Sequence, residues 1–178
     1  VFADVGCDGG VRSNDCFATS NQKRRKFFYP PDVAQVNDPN FSASANYDLV
    51  TIASGNREDP LDLLTTNLSP VQEAVHNRIY AFRDYNYKYG PPTTTPAALT
   101  DNATGGDLYD ATANSLGTLT GAQLDAQVAI FKASKGYFID LVEAAACTLP
   151  NSLSTKWVGE KGLAKVVIFG GILYVTTY

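Results

Sequence analysis

One imidazole in 178 residues sets the first limit on chemistry. Any Ser-His-Asp arrangement would have to be built on His76, and no serine stands in a nucleophile-elbow setting. His76 therefore reads as a loop-end histidine before a strand, and no catalytic residue is expected. The charged run Arg57-Glu58-Asp59 after Gly55 could position a ligand, but three adjacent charges more simply pair with one another and fix a loop. Carboxylate pairs for glycoside chemistry are defined by separation in space, so the sequence leaves that class open. Gly105-Gly106 lacks the following Lys-Ser/Thr that a phosphate-cradling loop needs.

Cysteine offers little more. Of the three, Cys7 and Cys16 flank a polar, Gly-rich stretch, residues 8–15 (DGGVRSND). In an oxidising compartment their disulfide would be worth about 2–3 kcal/mol through the entropy it removes from the unfolded chain. Cys147 is then left over. Without a CxxC pair and with one histidine, no zinc site is readable, and no cofactor-binding or metal-ligating residue is assigned. The tyrosines are more suggestive. Tyr80, Phe82, Tyr85, Tyr87 and Tyr89 recur at near-alternate positions. The first two read as core, whereas Tyr85, Tyr87 and Tyr89 beside Gly90-Pro91-Pro92 form a candidate contact surface of large, low-entropy side chains.

The chain that must position these residues is 44% hydrophobic, 11% aromatic and 18% charged, which excludes a disordered polypeptide. Its apolar runs, such as residues 166–169, reach only four residues, far short of the ~20 that span a bilayer. The net charge of −4 gives no general attraction to nucleic acid. The one basic cluster, residues 23–26 (KRRK), reads as a solvated turn before a strand. There is no Met and no signal peptide at Val1, so the start looks processed or truncated.

Strand patterns dominate. Residues 47–54 (YDLVTIAS) are β-branched and close on Gly55-Asn56. Residues 78–84 (RIYAFRD) alternate, with Ile79, Ala81 and Arg83 on one face and Tyr80 and Phe82 on the other. Residues 137–142 (YFIDLV) give another strand. Residues 164–169 and 172–178 flank Gly170-Gly171, a hairpin turn of the I′ or II′ kind. Residues 85–96 (YNYKYGPPTTTP) read as an extended loop. One helix is expected over residues 119–134, with Thr120 and Gln123 as a capping box, Leu124, Val128 and Phe131 as one stripe, and Gly136 as the stop. The expected fold is all-β: a partial β-propeller of about two antiparallel blades, with a helical insertion near residues 91–135 in a single domain fragment spanning 1–178. Blades run to roughly 40–50 residues and a closed propeller needs typically 4–8 of them, so such a chain is a piece.

Several segments resemble one family. Residues 24–33 (RRKFFYPPDV) are similar to the RRFFYPPDV run in the C-terminal β-propeller of type IV pilus tip-associated adhesins of the PilC/PilY type. Residues 51–61 (TIASGNREDPL) look like that family's I-GSG-RE-PL segment, and residues 76–84 (HNRIYAFRD) its NRFY strand. Residues 107–112 (DLYDAT), 135–141 (KGYFIDL), 159–161 (GEK) and 175–178 (VTTY) follow in the family's order. The resemblance covers nearly everything from about residue 23 onward.

It implies a non-catalytic, structural or adhesion-associated part of a pilus biogenesis protein at a bacterial surface. Such a protein is exported through the periplasm to an extracellular place on the fimbrium. Its partners would be pilin or minor pilins, and the remainder of its own propeller or other copies of itself through open strand edges such as residues 172–178. Nucleic acid and a membrane span are not expected. The family's calcium loop has no match here, since Asp101, Asn102, Asp107 and Asp110 are wrongly spaced for it; no cofactor is expected in this chain. The family continues beyond VTTY into a cysteine-containing loop, which implies a partner for Cys147. Two other classes stand beside this reading: a self-associating subunit of an extracellular filament, and a fragment of a propeller hydrolase or quinoprotein-like enzyme.

Overall fold

The computed structural model describes residues 3–7, 25–38, 46–57, 75–85, 98–101, 106–113, 115–141, 146–148, 154–156 and 160–178. Its centre is one five-stranded sheet. Strands β2 (Asp32–Asn37), β3 (Asn46–Ala53) and β4 (Arg78–Asp84) form an antiparallel meander. β7 (Gly136–Asp140) adds antiparallel to β4, and the short β6 (Tyr109–Asp110) adds parallel to β7, giving the order β2-β3-β4-β7-β6. Three two-stranded pairs complete the strands. They are β1 (Ala3–Asp4) with β5 (Leu99–Thr100), β8 (Ala146–Thr148) with β9 (Ser154–Lys156), and β10 (Val167–Phe169) with β11 (Ile172–Tyr174). The molecule is thus mostly β. Among the described residues the helices, α1 (Ser115–Thr118) and α2 (Gly121–Ala133), fall within 91–135.

β4 is central and covered on both faces, with every residue but Asp84 buried. The face of Tyr80 and Phe82 packs with Phe138, Val5, Leu99 and Leu108. The opposite face places Ile79 with Ala53, Leu141 and Val166, against which Leu173 and Val175 lean. The predicted alternation is real, but it separates two cores rather than a core from solvent. Burying both faces is what makes a sheet of this width stable.

The C-terminal hairpin turns through Gly170 and Gly171, with φ of 59° and 79°. Two successive left-handed residues define a type I′ turn, which two glycines adopt without strain. Where Gly162 meets the β3 end the backbone itself is the contact. A Cβ on Gly55 would lie 2.5 Å from the Gly162 carbonyl oxygen, and the Gly162 amide donates to the Ser54 carbonyl at 3.0 Å. The predicted turn glycine Gly55 is therefore also a point where two backbones touch. Strand 172–178 is paired by β10 at its start and by Gly162 and Lys161 at Thr177 and Tyr178.

One carboxylate ties this hairpin to the sheet edge. Asp32 accepts from the Ile168 amide at 2.8 Å and pairs with Lys165 at 3.1 Å. The Ile168 N–H and then Lys165 hold its pKa below the ordinary 3.8. A depressed carboxylate pKa stabilises above the ordinary value and loses that contribution as pH falls through the folded value. Acid titration followed by NMR should therefore show the Ile168 amide shift moving with a midpoint below 3.8. A flat response, or a midpoint at or above that value, would dissociate Asp32 from the anchoring of the hairpin.

α2 keeps the predicted stripe. Leu124, Val128 and Phe131 are half-buried while Ile130 on the far side is 55% exposed. Phe131 sits edge-on to Tyr109 at 5.3 Å and tilted to Tyr137 at 5.9 Å. The capping box does not form. Thr120 holds the N-cap position in extended conformation, but its hydroxyl makes no capping bond. The helix is fastened at its other end, where the Arg83 guanidinium donates to the carbonyls of Phe131 at 3.0 Å and Ser134 at 2.8 Å. A cation at the C-terminal carbonyls satisfies orphan acceptors and opposes the helix dipole. Ser134, not Gly136, closes the helix.

Candidate functional site

The described residue most plainly out of place for its type is Asp101, 1% exposed in a polar stretch just after β5. Its Oδ2 accepts three donors: Arg25 Nη1 at 3.0 Å, Arg78 Nη1 at 2.7 Å and the Tyr80 hydroxyl at 2.5 Å. Its Oδ1 is buried without a partner. Two of the donors come from one strand and the third from a distant segment. Arg78 and Tyr80 project from the same face of β4 because alternate strand residues share a face. Directly opposite them on β7 stand Asp140 and Phe138. Arg78 Nε and Asp140 Oδ1 therefore form a cross-strand ion pair, and the guanidinium lies 4.0 Å from the Phe138 ring centroid.

Arg25 enters from the segment before β2. It spans the cluster, donating to the carbonyls of Cys7 at 2.6 Å, Val5 at 3.2 Å and His76 at 2.7 Å as well as to Asp101. The solvated turn expected at 23–26 is thereby corrected at this residue. Arg25 is 5% exposed, while neighbouring Lys26 is exposed and donates to Asn56. A four-residue basic run hides such a case, since only a long-range partner distinguishes its one buried member.

Burial opposes the charge on Arg78, but Asp140 and Asp101 outweigh it and raise its pKa. Burial raises the Tyr80 pKa, with Arg25 opposing and Asp101 reinforcing. The phenol is held protonated, as a donor. Two guanidiniums and two carboxylates so balance in a desolvated setting, where charges require partners. What this arrangement does chemically is clamp: it ties the N-terminal segment, the entry to β2, β4, β5 and β7 together.

A second polar knot lies at the same junction, where β3 ends and β4 begins. The Ser54 hydroxyl donates to Asn77 Oδ1 at 3.3 Å and accepts from the Arg78 amide at 2.8 Å, while Asn77 Nδ2 donates to the Glu160 carbonyl at 3.2 Å. It joins the C-terminal segment to the sheet as Asp101 joins the N-terminal one. Asp107 is shared by Lys135 at 2.8 Å and, next to Asp101 in the chain, the Thr100 amide at 3.0 Å. Burial alone would raise its pKa, but these partners lower it.

No family model matches the chain, and neither a curated protein nor a solved structure does.

The residues singled out by type fare variously. Cys7 is disulfide-bonded and buried; Cys16 and the side chain of Cys147 lie outside the described residues. Tyr85 is half-buried with its ring 5.5 Å from Tyr47, while Tyr87 and Tyr89 lie outside. Arg57 donates to the Tyr29 hydroxyl at 3.2 Å; Glu58 and Asp59 lie outside. His76 contributes its carbonyl to Arg25. Among the described residues no group of three His, Cys, Asp or Glu is placed to hold a metal, and no helix is long and apolar enough to cross a membrane. In the sequence Asp101 stands only as a misfit to a calcium loop, and no local signal marks its role.

Proposed function

We propose that the chain is a non-catalytic structural part of a type IV pilus tip-associated protein, supporting pilus assembly and surface attachment. The observation that carries this reading is where the resembling segments go. Arg25, Phe27, Tyr29 and Asp32 belong to the first, Ser54, Gly55 and Arg57 to the second, and Asn77, Arg78 and Tyr80 to the third. Asp107 and Asp140 belong to later ones. These residues are spent inside the fold: Arg78 on Asp140, Ser54 on Asn77 and Arg57 on Tyr29 join one segment to another, while Arg25 and Tyr80 meet on Asp101, which lies outside the segments. A run of sequence that recurs because it builds a frame places its unusual residues in this way, and a catalytic run aims them at a cleft. In this reading β2-β3-β4-β7 is one four-stranded propeller blade and the β10–β11 hairpin opens the next. The protein is exported through the periplasm to the cell surface, where pilins are its partners.

A self-associating filament subunit is the second reading, favoured by the outward face of the hairpin. Val167, Phe169, Ile172 and Tyr174 are 44%, 75%, 57% and 52% exposed there. Deleting the gene in a piliated host that carries it tests the first reading. Surface pili, counted by electron microscopy, and attachment should both fall, and a copy encoding the complete protein should restore them. Unchanged pili and attachment would overturn it.

A further inference from the structure

Residues 3–7 lie against the Asp101 clamp as a strap. Two residue pairs with β5 hold its start, Ala3 with Leu99 and Asp4 with Thr100. Val5 joins the core beside Tyr80, and its carbonyl accepts from the Tyr80 hydroxyl at 3.4 Å and from Arg25 Nη1 at 3.2 Å. The Gly6 carbonyl accepts from the Arg25 amide at 2.8 Å, and the Cys7 carbonyl from Arg25 Nη1 at 2.6 Å. These bonds are polar, and a polar contact exchanged for water changes the free energy little. A two-residue pairing is marginal alone, and holding five residues in one conformation has its own entropic cost. The strap is therefore nearly balanced between lying down and lifting. What tips it is covalent. Cys7 is buried and disulfide-bonded, and the chain's other cysteines are Cys16 and Cys147.

We propose that the Cys7 disulfide is a redox latch on the buried ion cluster. With the bond closed, the strap lies down and the side chains of Arg25 and Asp101 stay wholly shielded from solvent. With the bond reduced, the strap lifts, water takes the place of the Val5 and Cys7 carbonyls on Arg25, and the cluster is hydrated. The step is thiol–disulfide exchange with a dithiol. One thiolate of the dithiol attacks a sulfur of the bond, and the other sulfur leaves and takes up a proton. The dithiol's second sulfur then closes on its first and releases the remaining cysteine as a thiol. Two electrons and two protons pass to the chain, and the dithiol ends as its own disulfide. The latch works with either cysteine as the partner of Cys7, and it does not depend on the pilus role. Coupling of this kind is reciprocal: if reduction loosens the cluster, a loosened cluster must ease reduction.

Amide hydrogen exchange followed by NMR, with and without dithiothreitol, tests it. The reporter is the Arg25 amide, which is bonded to the Gly6 carbonyl. Its protection should fall about tenfold or more on reduction, while the amides that pair β3 with β4 change by less than about threefold. Cys7→Ser should give the same pattern without reductant. In a graded thiol–disulfide buffer, Arg25→Met should be reduced at a poise about tenfold less reducing than wild type. Tyr80→Phe, which removes one bond to Val5 and one to Asp101, should shift the poise the same way with an unchanged circular dichroism spectrum. Arg25 protection that survives reduction overturns the proposal. So does protection lost equally in β3 and β4, which would make the bond a general brace, and so does one poise shared by wild type and both variants.

Discussion

Asp101→Ala is expected to cost about 3–5 kcal/mol of folding stability, the range for removing one partner from a buried ion pair. The size follows from what is left behind. Arg25 and Asp101 side chains are fully shielded from solvent and that of Arg78 is 10% exposed. Without Asp101, the carboxylate left in the cluster among the described residues is Asp140, which contacts Arg78. Tyr80 also loses its short acceptor and keeps only the Val5 carbonyl at 3.4 Å. Urea denaturation should show a lower midpoint with an unchanged slope, the sign of lost stability rather than of a changed denatured state. Arg25→Met should also destabilise, although Arg78 still neutralises Asp101. Its loss takes a charged donor from the carbonyls of Val5, Cys7 and His76, and a carbonyl left dry costs about 1–3 kcal/mol. The double variant should be more stable than the sum of the two single costs allows, since each removes a charge the other leaves unpaired. A cost below about 1 kcal/mol for Asp101→Ala would place the cluster among ion pairs that contribute almost nothing.

How these residues find one another explains what the sequence discloses and what it hides. β3, β4, β7, the terminal hairpin and α2 all follow from patterns contained within a few residues: alternation, a glycine pair, a stripe at helical spacing. Each of those elements lies where its pattern predicts it, within a residue or two for β3 and β4 and shorter than expected for β10 and β11. The two-residue strands β1, β5 and β6 are too short to carry any period, and two of their pairings are parallel, which needs distant chain. The clamp is harder still. Arg25 and Asp101 are 76 residues apart, and each sits in a polar run that looks solvated. Amphipathic period cannot report a charge whose partner lies in another element, so a buried ion cluster is legible only through the fold. The Thr120 cap fails for the complementary reason. A local rule was satisfied, but the helix gained its fastening from Arg83, 48 residues before Phe131.

Gly136→Ala should destabilise by about 3 kcal/mol or more, from strain of about 1–3 kcal/mol at a φ that side chains avoid and a comparable cost for overpacking. Gly136 has φ of +150° and opens β7 directly opposite Phe82 of the central strand. A Cβ there would overlap the Ala81 carbonyl oxygen, approach the Phe82 Cα to 2.9 Å and the Leu108 side chain to 3.1 Å. Two of these three neighbours are backbone in the most buried strand, so the clash has no flexible end to move. The sheet must instead give at the β4–β7 junction, where Arg78 meets Asp140 and Tyr80 meets Phe138. Damage at this glycine should therefore travel to the ion cluster. In hydrogen exchange, the amides of Arg78 to Phe82 should lose protection together, while those of β10 and β11, held from the other face, lose less. The proper control is Gly171→Ala, whose Cβ would meet nothing within 4 Å but whose φ is +79°. That variant carries the backbone strain without the collision, so the difference between the two measures the close approach itself. Equal costs for both would mean that β7 accommodates a methyl group against β4, and that Gly136 is required for its backbone angle alone.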